Sequence, residues 1–207
     1  MEKQNQKGYF DEYENTTFHP YNILLFLALF GITALFLAMS AAFIYTRVQA
    51  QLPPIKLPLL FVFNTLILLG SSGTLILAKS CFKKDDTKGY QNALLYTIVL
   101  TLFFLVLQII AWYTLFSNQY YLGKDNSTSY LYVISGLHFA HVIAGLPFLF
   151  LFLKTARKQM KEPVSVLVYF SDPSKRLKLR LLSIYWHFLD FLWIYLVLFF
   201  GVNYWFR

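Results

Sequence analysis

Five long apolar segments constrain the fold of this chain more than any other feature. Each is close to or longer than the roughly 20 apolar residues that a helix needs to cross a bilayer. None alternates between apolar and polar residues with the period of two that marks a transmembrane strand. The pattern therefore predicts an all-α integral membrane bundle of five transmembrane helices, spanning about residues 22–46, 57–79, 91–116, 130–154 and 181–205.

The composition agrees with a membrane protein. Hydrophobic residues make up 57% of the 207 residues and charged residues only 14%, whereas about a quarter of a soluble domain is charged. The single cysteine, Cys81, rules out a disulfide within the chain and a thiolate metal cluster.

The distribution of basic residues predicts the orientation. Most of the 18 lysine and arginine residues fall on one side of the predicted membrane, namely Lys3, Lys7, Lys79, Lys83, Lys84, Lys88, Lys154, Arg157, Lys158, Lys161, Lys175, Arg176, Lys178 and Arg180. Positive charge favours the cytoplasmic side. We therefore expect residues 1–21 to form a polar cytoplasmic tail and residues 22–207 a single membrane domain with its C-terminus outside. Because the basic residues lie in short gaps between apolar runs, the formal charge of +8 indicates contact with anionic lipid rather than with nucleic acid.

Four ionisable side chains lie inside the predicted spans: His138, His141, His187 and Asp190. Such groups are costly in hydrocarbon, so each is expected to face a neighbouring helix or a polar cavity. The i, i+3 spacing within each pair places its two members on one helix face.

Two interpretations of these side chains remain open. The histidines could bind a metal or haem, since imidazole is a common ligand, or they could hydrogen-bond to a neighbouring helix or a lipid headgroup. Three histidines without paired carboxylates are too few for a di-iron or copper–haem site, which favours the second interpretation. Asp190 could relay protons or could fix the tautomer of His187. A single aspartate makes no relay across a membrane, so the second role is favoured.

Other residues indicate how the helices pack. Gly136, Ala140 and Ala144 form a row of small residues of the kind that lets helices approach closely. Asn64 belongs to a polar stripe on the second span that predicts hydrogen bonds between helices, and Pro147 is expected to bend the fourth span.

Four motifs, in order over about residues 20–205, resemble subunit III of the haem-copper oxidases. The last-helix motif is YWHFLDFLWIYLVLFF at 185–200, which matches through Tyr185, Trp186, His187, Phe188, Asp190 and Trp193. SGLHFAHVIAGL at 135–146 is similar to the penultimate-helix motif, and LPLLFVFNTLILLGSSGTLILA at 57–78 resembles an earlier element. Gln108 and Trp112 fit the helix between. The chain looks like the shorter, five-helix form of the family.

The resemblance implies an accessory subunit of a respiratory terminal oxidase in the cell membrane. Such a complex oxidises cytochrome c, reduces O2 and pumps protons, with haem and copper in subunits I and II and none in this chain. The subunit would pack beside subunit I and hold phospholipid in a cleft. His138, His141, His187, Asp190, Trp186 and Asn64 would then lock the helices together or bind that lipid. At two positions where the family usually carries a glutamate, this chain has Ile32 and Ala111, so the resemblance transfers no carboxylate role to them.

Three other functions are compatible with the sequence. The chain could be subunit III of a quinol oxidase or of a nitric oxide reductase complex. It could instead be a small b-type cytochrome that uses His138 or His141 together with His187. A stand-alone transporter is disfavoured because broken helices and paired intramembrane charges are missing.

Overall fold

The computed structural model describes residues 20–51 and 58–205, and within these ranges the chain forms helices and no strand. The six helices are α1 (Pro20–Ala50), α2 (Leu59–Lys83), α3 (Thr87–Ser117), α4 (Asn126–Gln159), α5 (Pro163–Ser171) and α6 (Pro173–Trp205). All except α5 are long and apolar enough to cross a membrane. The prediction of an all-α bundle with five spans is confirmed. The predicted tail lies almost wholly in residues 1–19, outside the described residues.

Three of the spanning helices, α1, α3 and α4, extend beyond both predicted boundaries of their apolar segments, whereas α2 extends beyond only the second boundary and α6 beyond only the first. At the end of the bundle where α1 begins, α4 continues to Gln159 and α6 begins at Pro173. The added turns carry basic residues such as Lys158 and Lys178, whose long stems can cover apolar surface while the charge reaches water. We call this end of the bundle the basic end. The short helix α5, at the same end, was not predicted.

Aspartate caps start two of the helices. The Asp86 carboxylate accepts a hydrogen bond from the Gly89 amide at 3.0 Å, which caps α3. The Asp125 carboxylate accepts one from the Thr128 amide at 2.6 Å, which caps α4. Each bond satisfies a backbone donor that the first turn of a helix leaves without a partner.

Three helices are followed closely by a residue in the left-handed region. Gln51, Asp85 and Gln119 have φ of 47°, 56° and 66°, just after α1, α2 and α3. Glycine normally takes this position because it carries no Cβ. These helix ends therefore hold backbone strain that a glycine would relieve.

The core is centred on α6, which packs against α2 and α4, while α2 makes its most extensive contact with α3. Trp186 and Trp193 of α6 are each only 1% exposed, and Phe61 of α2 stacks on Trp193 with ring centroids 5.6 Å apart. In contrast, only 11% of the residues in the most apolar stretch of α1 are buried. Most of α1 is therefore left to contact lipid or other chains.

The small-residue row on α4 does not mediate close packing among the described residues. Ala140 and Ala144 are exposed, and a Cβ added at Gly136 would meet no atom within 4 Å. The close approach is at Gly145 instead, where an added Cβ would lie 2.8 Å from Cζ3 of Trp186. The prediction of a packed small-residue row is therefore wrong for contacts within this part of the chain.

Candidate functional site

His138 lies in the middle of the bundle and links α4 to α6. Its side chain is 0% exposed, and its Nε2–H donates to the Leu189 carbonyl oxygen at 3.1 Å. Phe104 and Trp193 lie against the imidazole, with ring centroids 6.0 and 4.9 Å away. The ring is thus enclosed by aromatic side chains and could not reach a porphyrin without repacking of the core.

His141, one turn further along α4, is half-buried and bonds locally. Its Nδ1–H donates to the Leu137 carbonyl oxygen at 2.7 Å, within the same helix. The carbonyl oxygen of His141 accepts a hydrogen bond from the Tyr185 hydroxyl of α6 at 2.9 Å. The second link between α4 and α6 is therefore made by the backbone of His141 rather than by its imidazole.

His187 and Asp190 face α2. The Nδ1 atom of His187 lies 2.5 Å from the Ser72 hydroxyl, which also lies close enough to the Asp190 carboxyl to interact with it. Next to them, the Trp186 indole donates to the Ser71 hydroxyl at 3.2 Å. Asp190 is only 5% exposed, and its Oδ2 atom has no hydrogen-bond partner among the described residues. These contacts form a polar seam between α2 and α6.

A second polar contact lies between α2 and α3. Asn64 and Gln108 are both 0% exposed, and the Asn64 amide donates to Gln108 Oε1 at 2.9 Å. This pairing is the interhelical hydrogen bond predicted from the polar stripe on the second span. Ala111, one turn along α3, is fully buried, and Ile32 packs at the edge of the core. The two positions at which the resemblance leads us to expect a glutamate are therefore occupied by apolar side chains packed in or against the core.

The two histidine-containing pairs do not converge on one point. His138 bonds to α6, while His187 bonds to α2. Within residues 20–51 and 58–205, no group of three or more His, Cys, Asp or Glu side chains is arranged to hold a metal. The geometry supports helix-to-helix contacts for these residues more than a shared ligand site.

A cleft of about 670 Å³ opens between α1, α4, α5 and α6 at the basic end. Its walls are mainly apolar, with Leu24 and Ala28 from α1 and Phe148 from α4. Lys175 and Lys178, in the first turns of α6, also line it. The shape combines an apolar trough with cationic groups at one end, as a phospholipid with an anionic headgroup requires.

Sequence reasoning did not identify the residues that form this cleft. Tyr169 of α5 lines it, and the Lys175 ammonium lies 5.3 Å from the centroid of the Tyr169 ring. Burial raises the pKa of Tyr169, so its hydroxyl stays protonated near neutral pH. None of the predicted residues His138, His141, His187, Asp190, Trp186 and Asn64 lines the cleft. The available signal was the concentration of basic residues in 154–180 on both sides of the aromatic pair Tyr169 and Phe170.

Comparison with known proteins shows which family has this sequence pattern. The family profile described as "Cytochrome c oxidase subunit III" matches residues 18–207. A "Cytochrome c oxidase subunit 3" of Alkalihalophilus pseudofirmus is 32% identical over 69% of this chain and 64% of its own length. One from Papio hamadryas is 31% identical over 70% of this chain and 49% of its own length. One from Thermostichus vulcanus is 28% identical, covering 89% of this chain and 87% of its own length.

The chain spans about half the length of several relatives that it matches, including the one from Papio hamadryas. The family profile nevertheless covers nearly all of the chain, including the five spans and the polar seam. With five helices able to cross the bilayer, the chain is a multi-pass membrane protein that belongs to the cytochrome c oxidase subunit III family.

Proposed function

We propose that this chain is an accessory, non-redox subunit of a respiratory terminal oxidase in the cell membrane. The complex would oxidise cytochrome c, reduce O2 to water and pump protons, with haem and copper in subunits I and II. The observation that carries the proposal is the family profile over residues 18–207. The similarity to cytochrome c oxidase subunits favours cytochrome c over quinol as the electron donor.

The subunit would contribute stability and lipid rather than chemistry. Its interhelical contacts are made by buried groups such as His138, Asn64 and Trp186, which suits a rigid body that packs beside subunit I. The cleft at the basic end would hold a phospholipid whose headgroup lies near Lys175 and Lys178. The basic end would face the cytoplasm.

Purification through a tag on this chain in mild detergent tests membership in the complex. We expect haem-bearing subunits I and II in the eluate by mass spectrometry and by a reduced-minus-oxidised spectrum. Asp190→Leu should weaken assembly or shorten activity under turnover without changing the haem spectrum. Haem that stays with the separated chain would contradict the proposal and favour the small b-type cytochrome.

Filling the cleft with a larger side chain tests whether phospholipid binds there. Ala28 lines the cleft, and Ala34, also exposed on α1, does not. We expect Ala28→Trp to reduce the phospholipid that remains bound to the purified complex in native mass spectrometry, and Ala34→Trp to leave it unchanged. Equal lipid content in both variants would refute lipid binding at this cleft.

A further inference from the structure

The short helix α5 carries apolar residues on two opposite faces. Val166, Tyr169 and Phe170, spaced i, i+3, i+4, form one stripe that packs against the core, with Tyr169 and Phe170 each 3% exposed. Val164, Leu167 and Val168 repeat the same spacing on the other face and are 75%, 65% and 65% exposed. We call these last three residues the outer stripe.

The helix that carries the outer stripe is held against the bundle at both ends. Only residues 160–162 separate α4 from α5, and only Asp172 separates α5 from α6. The inner face is further held by Phe82 of α2, whose ring centroid lies 5.1 Å from that of Phe170. Because α5 joins two spanning helices at the basic end, we infer that it lies near the boundary between the hydrocarbon and the aqueous phase, within the headgroup region.

Basic residues surround this helix in sequence and at the same end of the bundle. Residues 154–180 hold eight lysines and arginines against Glu162 and Asp172. Arg157, Lys158 and Lys161, on the approach to α5, are exposed. An exposed apolar stripe beside clustered cations is the combination that binds an anionic lipid surface, with the apolar residues in the acyl boundary and the cations among the headgroups.

We propose that α5 is an in-plane anchor whose outer stripe inserts into the headgroup layer and whose flanking cations gather anionic phospholipid around the basic end. The partner is the lipid leaflet itself, bound along the outside of the subunit. The outer stripe does not line the cleft, so this surface is independent of the lipid proposed to lie inside it.

Brominated lipid tests the position of the stripe. The full chain is prepared with Cys81→Ser, which removes its single cysteine, and a fluorophore is attached at Leu167→Cys. Val106→Cys, at a 54% exposed position within α3, serves as the lipid-facing control, and Gln159→Cys, at the exposed end of α4, as the aqueous control. In nanodiscs we expect brominated lipid to quench the Leu167 label and iodide to leave it unquenched. Iodide quenching as strong as at Gln159 would overturn the proposal.

A comparison of anionic with zwitterionic lipid tests the role of the flanking cations. At equal mole fraction, brominated phosphatidylglycerol should quench the Leu167 label at least about twofold more than brominated phosphatidylcholine, since each surface cation favours anionic lipid. The two lipids should quench the Val106 label equally. The ratio at Leu167 should fall towards one in Arg157→Gln/Lys158→Gln/Lys161→Gln. A ratio of one in the unsubstituted chain would refute the role of the cations.

A photocrosslinking residue at Leu167 in cells separates lipid from protein. We expect adducts with lipid, seen as small mass increments on the chain. A crosslinked band that contains another protein would overturn the proposal, because the outer stripe would then be a subunit interface.

Discussion

Replacing Gly145 by alanine tests a close contact between α4 and α6. An alanine Cβ would lie 2.8 Å from Cζ3 of Trp186 and 3.0 Å from Cε1 of Tyr185. Both neighbours are aromatic rings, which cannot bend out of the way. Trp186 is 1% exposed and donates its indole N–H to Ser71, so any shift of the ring also disturbs the polar seam between α2 and α6.

The expected loss of stability follows from three contributions. Overpacking of a filled core costs about 1–3 kcal/mol. Loss of the Trp186–Ser71 hydrogen bond adds about 1 kcal/mol. Alanine returns about 1 kcal/mol through its higher helix propensity. The net destabilisation is about 1–3 kcal/mol, which corresponds to a fall in Tm of about 2–12 °C for a chain of this size.

Gly136→Ala is the matched control because it lies on the same helix and its new Cβ would meet nothing within 4 Å. We expect it to leave Tm unchanged or to raise it. The assay is thermal unfolding in detergent with a thiol-reactive dye, which reports exposure of the buried Cys81. Equal Tm values for Gly145→Ala and Gly136→Ala would show that the contact with Trp186 does not constrain the bundle.

Three further predictions address the helix ends and the buried amides. Gln119→Gly should raise the free energy of unfolding by about 1 kcal/mol, because it relieves the left-handed φ of 66°, and an unchanged Tm would argue against strain there. Partial burial alone would raise the pKa of Asp172, but hydrogen bonds from Ser174 outweigh it and hold the pKa below its ordinary value. Because the charged carboxylate stabilises the folded state, Asp172→Ala should cost about 1 kcal/mol at neutral pH. That cost should fade as pH falls below about 4, and a pH-independent difference in unfolding would contradict this role. In a double-mutant cycle of Asn64→Leu and Gln108→Met, the coupling energy should be about 0.6–1.7 kcal/mol, as for hydrogen bonds between membrane helices, and strictly additive effects would refute the pairing.

The number of spans and the all-α fold could be predicted from sequence because hydrocarbon leaves the backbone few options. Without water, each N–H and C=O must be satisfied within its own segment, so a long apolar run becomes a helix. The buried Asn64–Gln108 contact followed from the same physics, since a polar group in such a segment needs a neighbour. The helix ends were less predictable because Gln51, Asp85 and Gln119 stand where glycine is the usual signal.

Which neighbouring helix each buried side chain contacts became clear only from the tertiary structure. Sequence spacing places His187 and Asp190 on one face, but only packing directs that face to Ser72 of α2. Small residues lie at both Gly136 and Gly145, yet only Gly145 has the rings of Trp186 and Tyr185 against it. The rotation of each helix about its axis decides such contacts. The sequence pattern of a membrane helix specifies that rotation only weakly, because the lipid and the protein core are equally apolar.

The cleft and the outer stripe of α5 also became visible only in the folded structure. From sequence alone, residues 154–180 were a basic connection between two spans. The fold brings Lys175 and Lys178 into the lining of a mainly apolar cleft. It also leaves Val164, Leu167 and Val168 exposed on a helix fixed at the end of the bundle. Hydrophobicity along the chain thus determined which segments enter the membrane. The packing of those segments decided which surfaces remain for lipid, because only side chains without a helix neighbour are left to contact it.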